Sequence, residues 1–68
     1  MKITVNGIEN EFEETATLSE VVASLGVNRD SSGVAAAVNG QVVPRREWPD
    51  AHLSPGDRVE VLRAVAGG

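Results

Sequence analysis

Two Val-Asn-Gly triplets, at 5–7 and at 38–40, constrain this chain more than any other feature of its sequence. Asn-Gly favours a two-residue type I′ hairpin turn, because both central residues take positive φ and the turn's twist matches that of the strands it joins. A turn on Asn6-Gly7 pairs Val5 with Ile8, Ile3 with Asn10 and Met1 with Phe12, on a face that is apolar except for Asn10. Lys2 then opposes Glu11 and Thr4 opposes Glu9 on a polar face, so residues 1–13 read as a half-buried hairpin. Asn10 in the apolar row implies either a bulge there or an early end to the pairing. The same chemistry around Asn39-Gly40 gives a second hairpin over 34–43. The repeated triplet is repeated turn chemistry rather than a duplicated domain.

Between the hairpins the period changes. Leu18, Val21, Val22 and Leu25 recur at i, i+3, i+4 and i+7, which predicts a helix over 18–25 with one apolar stripe. Thr17 and Glu20 form a T-x-x-E capping box at its start, and Gly26 stands where a left-handed residue ends it. A polar loop over 28–33 leads to the second hairpin, which Pro44 ends. Pro49 confines Arg45 to Trp48 to a short turn or a single helical loop. Ser54-Pro55-Gly56-Asp57 has the residues of a type II turn, and a last strand follows over 58–65.

Strand, strand, helix, strand, short strand, strand is an α+β order. Its economical packing is a mixed sheet of four to five strands with one helix across one face. If the last strand inserts between the hairpins, it lies parallel to the first. That is the β-grasp, or ubiquitin-like, arrangement. A length of 68 residues allows one domain, over 1–66, with 67–68 as a flexible Gly-Gly tail. A domain this small buries only about 60% of the surface of its unfolded chain, so its stability is modest.

Several functions are hard to build from these residues. There is no cysteine, hence no disulfide and no Cys-ligated metal, and the one histidine, His52, rules out an all-histidine zinc site. A net charge of −4 argues against nucleic-acid binding, which needs a cationic footprint. MKITVNG lacks the apolar run of a signal peptide or membrane span, so the expected location is the cytoplasm, away from membranes. The cluster of Glu9, Glu11, Glu13 and Glu14 is not read as a metal site, because Glu9, Glu11 and Glu13 alternate along the outer face of an edge hairpin, where charge discourages strand addition. His52, between Pro49 and Pro55, reads as a solvated loop residue, and no phosphate-cradling glycine loop is present. The chain is therefore not expected to be an enzyme. Trp48 is read as a ring that caps a small core.

The last strand carries more information. Val59 and Val61 share one parity, which also includes Arg63, while Glu60, Leu62 and Ala64 point the other way. If the valines meet the helix, Leu62 stands on the uncovered face as a docking point, with Arg63 and Ala64 beside it. The chain then ends Ala66-Gly67-Gly68. Glycine's missing side chain lets such a stem thread a narrow slot in another protein and take whatever φ the slot demands.

The stretches MKITVNG, TLSEVVASLG, AAAVNGQVVPRREW and GDRVEVLRAVAGG together resemble the sulfur carrier family of thiamine (thiazole) biosynthesis, over essentially the whole chain. The resemblance implies that a separate activating enzyme, using ATP, adenylates the carboxylate of Gly68. It also implies conversion to a thiocarboxylate with sulfur from a persulfide protein, and delivery to thiazole synthase. Gly67 and Ala66 would be read by the partner's slot, and the chain itself would bind no cofactor. A sulfur carrier without cysteine fits, since the sulfur rides on a backbone carboxyl. The small subunit of molybdopterin synthase resembles this chain less, because it carries prolines before its tail. A carrier for cysteine biosynthesis and a non-conjugating interaction module of the same fold are two more readings of these residues.

Overall fold

A computed structural model describes residues 1–27 and 33–63. The first Asn-Gly turn joins β1 (Lys2–Val5) to β2 (Ile8–Glu11), in the expected register from Val5 opposite Ile8 to Lys2 opposite Glu11. Asn6 and Asn39 both take positive φ, +49° and +51°, as a type I′ turn demands. The second turn joins β3 (Val34–Val38) to β4 (Gln41–Val43). The last strand, β5 (Arg58–Arg63), pairs parallel with β1 and antiparallel with β3. The sheet order is therefore β2-β1-β5-β3-β4, with β5 in the centre and both hairpins outward.

One helix, α1 (Leu18–Ser24), covers one face of this sheet. The Thr17 hydroxyl oxygen accepts from the Glu20 backbone N–H at 3.4 Å, and the same hydroxyl meets Glu20 Oε1. The glutamate thus closes the box on the hydroxyl. Leu18, Val21 and Val22 are buried against Ile3, Val5, Ala36, Val59 and Val61. Leu25 departs from the expected stripe and is exposed, because the helix ends one residue earlier. Its N–H bonds to the Val22 carbonyl, a tightened last turn that swings its side chain off the apolar row. Val27 is buried in that core instead.

A 3₁₀ segment, η1 (Arg45–Asp50), packs against α1 and closes the β4 side of the core. Its Trp48 is 1% exposed and caps the core as expected. Ser54 to Asp57 turns as its residues require, with Gly56 at φ +85° and the Asp57 N–H bonded to the Ser54 carbonyl.

The first hairpin corrects one expectation. Asn10 causes neither a bulge nor an early end, since the ladder runs regularly through Ile3 opposite Asn10 to Lys2 opposite Glu11. Every residue of β2 is exposed, Ile8 included. Five strands about 4.8 Å apart span roughly 20 Å, whereas a helix with its side chains is about 10–12 Å across. With α1 and η1 over the other strands, β2 overhangs the covered area. Only Phe12, just past it, packs on the core.

Candidate docking face and tail exit

β5 sets the geometry of the site because its side chains alternate across the central line of the sheet. Val59 and Val61 are buried under α1, while Glu60 and Leu62 stand on the open face. Leu62 is 70% exposed, the placement read from strand parity. Its neighbours complete a surface that the sequence reading did not reach. Ala35 lies opposite Leu62, and Ala37 lies between Glu60 on one side and Val42 on the other. The two alanines make a low floor between the walls of Val42 and Leu62, with Glu60 on the rim of this shallow groove. Val42 is 74% exposed, so two large apolar side chains flank the groove in open solvent.

The rest of the open face is polar: Lys2 and Glu9 meet there at 3.8 Å, both largely exposed. The face is therefore divided, with charges on the β2–β1 side and an apolar groove on the β3–β4 side. Arg63 lies elsewhere. It follows the parity of Val59 and Val61, so it projects to the side opposite Leu62, beyond the core, and is exposed. Opposite it sits Val34, whose carbonyl also accepts a bond from Arg45 at 3.4 Å. The Arg45 guanidinium lies 5.4 Å from the centre of the Trp48 ring. The other expected positions, Ala64, Ala66, Gly67 and Gly68, lie outside the described residues, as do Val65 and most of the expected loop at 28–33.

The remaining candidates do not converge. His52 is exposed in a loop bridged to Thr17. Among the described residues no three His, Cys, Asp or Glu side chains are placed to hold a metal ion. No helix among them is long and apolar enough to cross a membrane.

The sequence matches the model of the ThiS family over residues 3–68. The chain belongs to the ThiS family. The sulfur carrier protein ThiS of Escherichia coli K12 is 29% identical over 68 residues, covering all of both chains. The crystal structure of a thiamine biosynthesis protein, ThiS, from Geobacter metallireducens superposes with a TM-score of 0.79 at 30% identity, again over the whole of both. A thiazole synthase of Paramagnetospirillum magneticum is 32% identical over 68 residues. The chain spans only 20% of that relative's length. ThiS membership fixes the β-grasp fold, makes the chain a sulfur carrier of thiamine biosynthesis, and favours that role over one in molybdopterin synthase.

Proposed function

We propose that the carboxylate of Gly68 bears the sulfur, and that the Ala35–Ala37–Val42–Leu62 groove docks the enzymes that load and unload it. The observation that carries this reading is the position of β5. It is the central strand, paired with β1 at its start and with β3 as far as its end, and it runs to Arg63, from which the sequence continues through 64–68 to the two glycines. A rigid strand with an exposed leucine one residue before its end suits a partner that grips the globule and receives the glycines.

A carboxylate is a poor electrophile until one oxygen becomes a leaving group. Its oxygen attacks the α-phosphorus of ATP, pyrophosphate departs, and an acyl-adenylate results. A persulfide sulfur from a donor protein then displaces AMP, and a thiol cleaves the S–S bond to leave the thiocarboxylate. The activating enzyme supplies the charge stabilisation these steps need, since the carrier itself is acidic. Gly67 and Ala66 lie in the slot of that enzyme, and Arg63 and Ala64 border it. The carrier is thus a protein cosubstrate rather than an enzyme, binds no cofactor itself, and works in the cytoplasm where ATP is available.

Thiazole synthase is the acceptor. The Paramagnetospirillum relative of that name contains a stretch similar to all 68 residues within one longer chain, which supports the pairing of carrier and synthase. ATP–pyrophosphate exchange by the activating enzyme tests the reading. Exchange should depend on the full chain and vanish when Gly68 is deleted; exchange that survives the deletion contradicts it.

A further inference from the structure

β5 outruns its parallel neighbour. The β1–β5 ladder pairs Thr4 with Arg58 and Val5 with Val59 and then stops, because β1 turns away at Asn6. On its other edge β5 stays paired with β3 as far as Arg63 opposite Val34. Past Val59, the edge facing β1 has no strand beside it among the described residues.

The Asn6 side chain takes the place of the missing rung. The Val61 N–H donates to Asn6 Oδ1 at 2.8 Å, and Asn6 Nδ2 donates to the Val61 carbonyl at 3.3 Å. The Asn6 backbone N–H bonds to the Val59 carbonyl at 2.9 Å, so one residue holds β5 at two successive rungs. Asn39 does the equivalent at the start of the strand. Its N–H bonds to the Arg58 carbonyl and its Oδ1 accepts the Arg58 N–H at 2.9 Å. The two Val-Asn-Gly triplets thus clamp the two ends of β5.

We infer that Asn6 is a positioning residue for the activation reaction: it fixes the end of β5 and hence the line on which the chain beyond Arg63 is presented. The inference rests on Gly68 being the group activated. Val61 is two residues before the end of β5, so loosening it widens the directions the following residues take. Fewer free carriers then present the chain on the line that the enzyme admits, which raises the apparent KM by the inverse of that competent fraction while leaving the chemistry of the bound complex unchanged.

Asn6→Gly isolates the effect, since Gly-Gly also suits a type I′ turn and only the side-chain amide is lost. Asn39→Gly is the matched control, removing the clamp at the far end of the strand. Each variant is assayed by ATP–pyrophosphate exchange with the carrier as the varied substrate, at a temperature where circular dichroism shows it folded. Asn6→Gly should raise KM about five- to tenfold, the factor equivalent to losing one net hydrogen bond, with kcat unchanged. Asn39→Gly should leave KM within about twofold of the parent. Should Asn6→Gly fail to fold, Asn6→Asp serves, because it keeps an acceptor for the Val61 N–H but sets an oxygen against the Val61 carbonyl. An unchanged KM in the Asn6 variant, or an equal rise in Asn39→Gly that tracks stability, overturns the inference. No exchange with the parent chain instead overturns the Gly68 reading, and this inference with it.

Discussion

The indole N–H of Trp48 ends on the carbonyl oxygen of Val43, 2.9 Å away, with the ring itself 1% exposed. That bond ties η1 to the edge strand β4, and the Arg45 guanidinium lies over the ring. Trp48→Phe removes the donor and part of the ring and should cost about 1–2 kcal/mol. Trp48→Ala also leaves a cavity and should cost about 3–5 kcal/mol, a large share of the stability of so small a domain. Urea denaturation checks both: a Trp48→Phe variant as stable as the parent would contradict a contribution from the bond, and equal losses in the two variants would contradict a contribution from the ring's packing.

Thr17→Ala should destabilise by about 1 kcal/mol, since it removes the acceptor of the Glu20 N–H at the start of α1. In a domain of this size that lowers Tm by about 4–8 °C. Thermal melts followed by circular dichroism read it. A Tm that stays at the parent's value would mean the cap contributes nothing.

Much of this architecture is legible because local chemistry decides it. Asn6-Gly7, Asn39-Gly40 and Pro55-Gly56 each have one favoured backbone solution, and strand parity then places Val59 and Val61 inside and Leu62 outside. What escapes such reading is set by extents and by tertiary partners. Alternation puts Ile8 and Asn10 on the covered face, but it cannot show that a seven-residue helix falls short of β2. Turn chemistry explains why Asn stands at 6 and 39, yet the amides also bond to β5, far along the chain. Val42 and the two alanines of the groove follow the same alternation as Leu62. Their neighbourhood, however, depends on β3 lying between β5 and β4.

Leu62→Glu should weaken binding to the activating enzyme at least tenfold and leave Tm within about 2 °C, because the side chain is already in water. Val42→Glu should act in the same direction on the opposite wall of the groove. Titration calorimetry and thermal melts separate the two quantities. Normal binding by both variants would remove the groove from the interface.

Gly67→Ala should reduce ATP–pyrophosphate exchange at least tenfold without altering Tm. An added Cβ restricts φ and widens the stem that the enzyme's slot must admit. Full exchange by a folded variant would contradict a narrow slot at that residue.

Where the sulfur is carried can be measured directly. The purified chain, its activating enzyme, ATP, a persulfide donor and a thiol are incubated together, and the intact mass of the carrier is determined. The mass should rise by the difference between one sulfur and one oxygen, and fragmentation should place the change on Gly68. A chain ending at Gly67 should stay unmodified, because its carboxylate stops a residue short of the reacting centre, and misplacement by about 1 Å can cost about a hundredfold in rate. No gain in mass with a competent enzyme, or a gain located elsewhere in the chain, would contradict Gly68 as the carrier of sulfur.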